Sequence, residues 1–313
     1  MTFFRWSFAR ISLCCFALAL PRDTCMGQTP GLDAVDAGQA WLARARAALA
    51  KHHSISAVVR ERIRLYEHEL VGSGDFAQGP PGKNLLHFDI KLKIGDYDSY
   101  CQQRSDGQFY WLQRFEEGLP KVVRIDLKRV AEARAALREK QAPGGGDGGV
   151  PLLGLGGVAS LLDQLSLWCV FPRVTQGRLP SKGKLPVYVL EGGWRTERLL
   201  RWLPDQAEAV AEGKPIDITK LPPMLPDRVV VFLGRDDLFP RRVEYFVSQS
   251  RLARGEKEPL VQLHFDDVRF DVPIDPRYFQ FPGGMAPPID DTDGYLIRHG
   301  LAPLPAPASP PPG

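Results

Sequence analysis

The stretch "LLHFDIKLKI" constrains the fold more than any other: Leu86, Phe88, Ile90, Leu92 and Ile94 alternate with His87, Asp89, Lys91 and Lys93. A period of two sends successive side chains to opposite faces of a strand, so this segment has one apolar face and one wet face. Such a strand belongs to an antiparallel sheet covered on one side, whereas a strand of a parallel sheet is buried on both.

Other segments repeat the pattern. "AVVRERIRLYEHELVG" reads as one long strand with Val59, Ile63 and Leu65 inward and Arg60, Arg62, Arg64, Tyr66 and His68 outward. A hairpin follows, turned by Ser105, Asp106 and Gly107, because Asp-Gly supplies the left-handed backbone a tight turn needs. "KVVRIDL", "PVYVLEG", "DRVVVFLG", "RRVEYFVSQS" and "LVQLHFDDVRF" read as further strands. Helical spacing replaces alternation in three places: residues 33–53, residues 127–140 with Asp126 as cap, and the apolar "VASLLDQLSLW". No strand–helix–strand rhythm appears, which excludes a doubly wound parallel sheet. The expected class is α+β: a curled antiparallel sheet, an incomplete β-barrel of about ten to eleven strands, covered on its concave face by about three helices.

The chain opens with Arg5 and Arg10 before the apolar run "ISLCCFALAL", the form of a signal peptide over residues 1–27 with cleavage before Gln28. Ten apolar residues are about half of what a helix needs to cross a bilayer. Cys15 and Cys25 lack the preceding residues that lipid attachment requires, so a soluble protein, periplasmic or secreted and not membrane-spanning, is expected. Residues 28–300 form the main domain, interrupted by a linker at 142–149, "APGGGDGG", and a proline-rich insertion at 204–226. A proline-rich disordered tail, 301–313, closes the chain.

The leader carries three Arg and one Asp, so the whole-chain balance of 40 basic to 37 acidic residues falls to 37 against 36 without it. A balance that even gives no electrostatic ground for nucleic-acid binding. Cys101 and Cys169 remain after the leader and form a candidate disulfide; two buried free thiols are the alternative.

Catalytic chemistry finds little support. The acidic pairs Asp236-Asp237, Asp266-Asp267 and Asp290-Asp291 are sequence neighbours; on a strand such neighbours point to opposite faces, and elsewhere they suit turns. His52, His53, His68, His87, His264 and His299 lack metal-ligand spacing. "GLGGVASLL" opens a helix without the Lys-Ser or Lys-Thr of a phosphate loop, and no serine stands in a nucleophile-elbow context. No catalytic residue, metal or cofactor is therefore assigned.

A helix leading into a long strand, antiparallel strands broken by helices, and the closing segment carrying Phe265, Val268, Phe270, Asp271, Pro273, Ile274, Asp275, Phe279, Phe281 and Pro282 together resemble the LolA-like group of periplasmic lipoprotein carriers and lipid-binding proteins. In that segment Asp271 to Asp275 would interrupt sheet pairing, since Pro273 donates no ladder hydrogen bond, and Phe279 and Phe281 would resume an aromatic rung. The resemblance spans residues 33–284; the linker and the insertion depart from the small carriers. It implies a non-enzymatic carrier, expected as a monomer, whose partners are lipid or lipoprotein acyl chains.

The expected cavity lining is Leu86, Phe88, Ile90, Leu92, Ile94, Val229, Val231, Leu233, Val243 and Tyr245, beneath helices acting as a lid. The family's carriers latch the lid with an arginine on an early strand, for which Arg60, Arg62 and Arg64 are the candidates. The rival reading is an envelope protein-interaction module with a solid core and no ligand; a hydrolase using Asp266 and Asp267 is a third class.

Overall fold

The computed structural model describes residues 36–65, 68–94, 97–116, 119–140, 157–179, 184–222, 225–248, 258–283 and 286–301 of the 313-residue chain. The expected signal peptide at 1–27, the linker at 142–149 and nearly all of the proline-rich tail lie outside these residues. The strands are β1 (Ile55–Leu65), β2 (His68–Gln78), β3 (Leu85–Ile94), β4 (Tyr97–Asp106), β5 (Phe109–Glu116), β6 (Leu119–Asp126), β7 (Cys169–Arg178), β8 (Pro186–Trp194), β9 (Arg228–Gly234), β10 (Pro240–Phe246), β11 (Val261–Phe270) and β12 (Ile289–Asp290). They form one sheet of twelve strands in the order β12-β6-β5-β4-β3-β2-β1-β11-β10-β9-β8-β7. Every neighbouring pair is antiparallel except the short β12 against β6. The sheet is thus the curled, open, antiparallel one expected, with more strands. One addition corrects the reading of residues 57–72 as a single strand: they span β1 and the start of β2, paired from Ile55 with Gln78 to Leu65 with His68.

Curling follows from missing side chains on the concave face. Gly72 and Gly74 stand on β2 between Leu70 and Phe76, whose side chains are buried. A Cβ at Gly72 would lie 2.6 Å from Leu92 Cδ2, and one at Gly74 would collide with the Asp89 carbonyl oxygen. Two consecutive inward positions without side chains let β3 fold inward over β2. The β1–β11 and β9–β10 ladders each carry a register shift, which adds twist.

Helices fill the hollow so produced. They are α1 (Ala37–Leu49), α2 (Leu127–Lys140), α3 (Gly157–Trp168) and three short ones, α4 (Thr196–Leu199), α5 (Ala207–Ala211) and α6 (Thr292–Arg298). Leu42, Ala45 and Leu49 of α1 join Val158, Leu161, Leu162 and Leu165 of α3 in one core with Val59, Phe88, Ile90, Val231, Leu233 and Val243 of the sheet. Each fully buried Leu contributes about 2 kcal/mol of apolar burial, so this stripe is what holds the two helices down. Gly38 lets α1 approach β7, since a Cβ there would collide with Phe171 Cβ. As read from sequence, Asp126 caps α2, its Oδ1 accepting from the backbone of Lys128 and Arg129. The insertion is structured: Leu203, Leu221 and Leu225 form a separate small core with Leu199, Trp202, Ile216 and Ile218.

The closing segment corrects the expectation of an aromatic rung. β11 stops at Phe270, Asp271 turns with φ 55°, and Pro276–Phe279 is a short 3-10 turn. Residues 271–283 form a strap whose 3-10 turn crosses the convex face over β3 and β4. Tyr278 stacks on His87 with centroids 3.7 Å apart, Phe279 is buried and Phe281 stacks on Trp111. Beneath it Arg104 and Asp89 make a bidentate ion pair, with Nη2 to Oδ2 at 2.7 Å, in a sheltered site. The chain then adds β12 to the sheet edge and enters the concave side through α6, where Tyr295 and Leu296 join the core.

Candidate functional site

The structure brings the expected lining residues together, packed against helices. Leu86, Phe88, Ile90, Leu92, Val229, Val231, Leu233 and Val243 are buried in the main core and Tyr245 packs against it half-buried. The Ile94 side chain lies outside the described residues. Between α3 and the sheet lies a space of about 10 Å³, lined by Phe76, Leu86, Phe88, Gly157, Val158, Leu161 and Phe265. That is too little to hold more than a single water.

A large opening lined by described residues lies at the rim of this core. A groove of about 920 Å³ runs between α1, α3, the β2–β3 turn, α2 and the residues after α6. Its volume is at the upper end of ligand pockets. Leu49, Leu85, Leu86, Leu167, Leu301 and the Pro80-Pro81 pair give it apolar surface. The turn is shaped by Gly82 at φ 79° and Asn84 at φ 52°, backbone that an ordinary side chain disfavours. Gly157 opens α3 at φ 59°, and the Gln78 amide oxygen accepts from Val158 N at 3.2 Å, joining α3 to the end of β2. Arg46 of α1 and Asp163 of α3 join across the groove, Nε to Oδ1 at 2.9 Å. Burial pushes the Asp163 carboxyl up, while Arg46 pulls it the other way.

A half-buried clasp secures α1 to α3. Asp36 Oδ1 accepts from Gln39 N, capping α1, and from Phe171 N at 3.0 Å, while Oδ2 pairs with Arg195 Nη2 at 2.8 Å. Arg195 also donates to the Ser166 carbonyl at 3.1 Å near the end of α3. Asp36→Ala removes the cap and strands the guanidinium, and should cost about 2 kcal/mol in urea denaturation. The Asp before an apolar helical stripe was a readable cap; nothing near Arg195 in sequence marks it as its partner.

Arg60, Arg62 and Arg64, the candidate latches, lie on the face of β1 opposite Val59 and Ile63. They pair with Asp266 at 3.2 Å, Glu69 at 3.0 Å and Glu258 at 2.7 Å. Strand alternation aims them away from α1 and α3, so their placement does not suit a latch. Cys101 and Cys169 are buried free thiols, not the candidate disulfide, on β4 and β7 with seven strands between them in the sheet. Burial pushes the Cys169 thiol up to about 12, which makes it unreactive. Asp266 pairs with Arg60 and lies 3.4 Å from His264, while its neighbour Asp267 is exposed at φ 48° in the register shift. Asp237 accepts from Phe239 N and pairs with Arg241, and Asp290 accepts from Thr292 and pairs with Arg124. Among the described residues there is no metal-binding cluster, and no helix is long and apolar enough to cross a membrane.

No family model matches the chain, and no curated protein matches it. Solved structures similar to it include a DUF1329 family protein from Desulfovibrio piger, 17% identical over 79% of this chain and 98% of that chain, with a TM-score of 0.32. The lipoprotein LppX of Mycobacterium tuberculosis is 11% identical over 77% of this chain and 98% of that one, TM-score 0.36. LprF of Mycobacterium bovis is 12% identical over 79% of this chain and 97% of that one, TM-score 0.35.

Proposed function

We propose that this protein is a non-enzymatic carrier of the cell envelope that shelters an acyl chain in the groove between α1, α3 and the β2–β3 turn. The observation that carries the reading is the groove itself: about 920 Å³ of space with apolar surface from Leu49, Leu85, Leu86, Leu167 and Leu301. A fourteen-carbon chain buried over about half its length would gain roughly 6 kcal/mol at about 0.8 kcal/mol per methylene, an affinity on the order of tens of micromolar that permits release. Movement of α1 and α3 away from the sheet would extend the site over Phe88, Ile90, Val231, Leu233 and Val243, the surface those helices now cover. Release of the Asp36–Arg195 clasp is the first step such a movement needs.

The test is native mass spectrometry of protein purified without detergent, together with a fluorescent fatty-acid probe. Bound lipid, or probe fluorescence that rises on binding, is expected. Ala159→Trp, which places a large side chain in the groove wall, should reduce probe binding about tenfold or more, equivalent to about 1.4 kcal/mol, without lowering the melting temperature. Protein that carries no lipid and does not shield the probe would defeat the reading. A second reading, an envelope protein-interaction module, is favoured by the filled concave face, and that negative result would leave it standing.

A further inference from the structure

Resting on the carrier reading, we infer that the groove selects an amphiphile with one anionic head group, carboxylate or phosphate, and that Arg134 is the residue that holds it. Among the described residues, the charged side chains lining the groove are Arg46, Arg134, Arg195 and the acid Asp163, with the His299 imidazole beside them. Arg46 is neutralised by Asp163 and Arg195 by Asp36. Among the described residues, Arg134 has no carboxylate partner: its Nη2 reaches the neutral Tyr295 hydroxyl at 3.5 Å, and its buried Nε has no hydrogen-bond partner. Among the described residues the groove therefore carries an excess positive charge at one place.

His299 stands beside that charge, its ring stacked on Tyr295 with centroids 3.9 Å apart and its Nδ1 2.7 Å from the Tyr295 carbonyl oxygen. Arg134 and His299 thus meet the same tyrosine, and both line the groove together with Leu301. A guanidinium half-withdrawn from water is poorly compensated by a phenol, whereas a carboxylate or phosphate supplies two acceptors matched to its planar fork. A neutral head group would cover the charge without balancing it, and a cationic one would be repelled. The apolar chain would then lie along the leucines and the proline pair, with the head at Arg134.

The experiment is competition of dodecanoate, dodecyl phosphate and dodecanol against an uncharged fluorescent alkyl probe, with wild type, Arg134→Gln and Lys214→Gln. Each anion should bind wild type about tenfold or more tightly than dodecanol, and added salt should shrink that difference. Arg134→Gln should abolish the preference, bringing both anions to the level of dodecanol, and Lys214→Gln, at an exposed position outside the groove lining, should keep it; equal melting temperatures would show that the variants fold. The carboxylate and phosphate arms separate a fatty-acid ligand from a phosphate-bearing one. Equal binding of all three compounds to wild type, or a preference that survives Arg134→Gln, overturns the inference and leaves the carrier reading intact. Binding of none overturns both.

Discussion

Glu61→Gln is expected to stabilise the protein by about 3 kcal/mol at pH 7 and to leave it nearly unchanged at pH 4.5. Glu61 lies on the concave side of β1 between Val59 and Ile63, opposite Gly72 on β2 and Leu263 on β11. It is only 3% exposed, and its Oε2 has no hydrogen-bond partner. Burial, and secondarily the Cys101 thiol, push its carboxyl up to about 8 from an ordinary value of 4.5. The folded state therefore holds a proton that the unfolded chain releases. The stability this protonated form permits is fully present below pH 4.5 and is lost as the pH rises toward 8, by about 1.4 kcal/mol per unit. Glutamine copies the neutral acid and has no charge to develop. Urea denaturation of both proteins at pH 4.5, 7 and 9 should give curves that diverge through this window and run parallel above it; identical slopes would refute the assignment.

Gly74→Ala should cost about 3 kcal/mol or more, because the added methyl meets backbone and not a side chain that can rotate away. The obstacle is the Asp89 carbonyl oxygen on β3, beside the Ile90 Cα. Moving β3 would disturb the ladder from Val71 with Lys93 to Gln78 with Leu86 and shift the Asp89–Arg104 pair on the other face. Gly213 provides the comparison: it is exposed at φ 82° with open space where a Cβ would point. Gly213→Ala should cost only the left-handed backbone strain of about 1 kcal/mol. Denaturation midpoints that fall equally in the two variants would show that the close approach of β3 is not a constraint.

The same glycines explain what the sequence concealed. "VGSGDFAQ" looks like a turn, so β2 was lost inside β1; in fact the glycines are strand residues whose absent side chains bend the sheet. β7 was missed because it begins at Cys169 directly after the last residue of α3, contains Pro172, and exposes much of its length. Alternation elsewhere was reliable. It placed Leu86, Phe88, Ile90 and Leu92 on the buried face, and it also aimed Arg60, Arg62 and Arg64 at the opposite face, which counts against the latch they were offered for. Phe279 and Phe281, two apart, fit a strand or a strap equally, and Pro273 and Pro276 were the signals that decided it. The groove was unreadable because its wall is assembled from helix flanks, one tight turn and the residues after α6, segments that share no pattern along the chain.

The position of β11 has a consequence for how the chain reaches this state. Its residues 261–270 lie between β1 and β10, so the first half of the sheet meets the second only through pairs such as Val59 with Phe265, about two hundred positions apart in the chain. Closing so long a loop makes assembly slow. Until roughly the final sixth of the polypeptide is available, two half-sheets wait with unpaired edges and uncovered apolar faces. A nascent molecule shortened ahead of Val261 should accumulate as aggregate or be held by a chaperone.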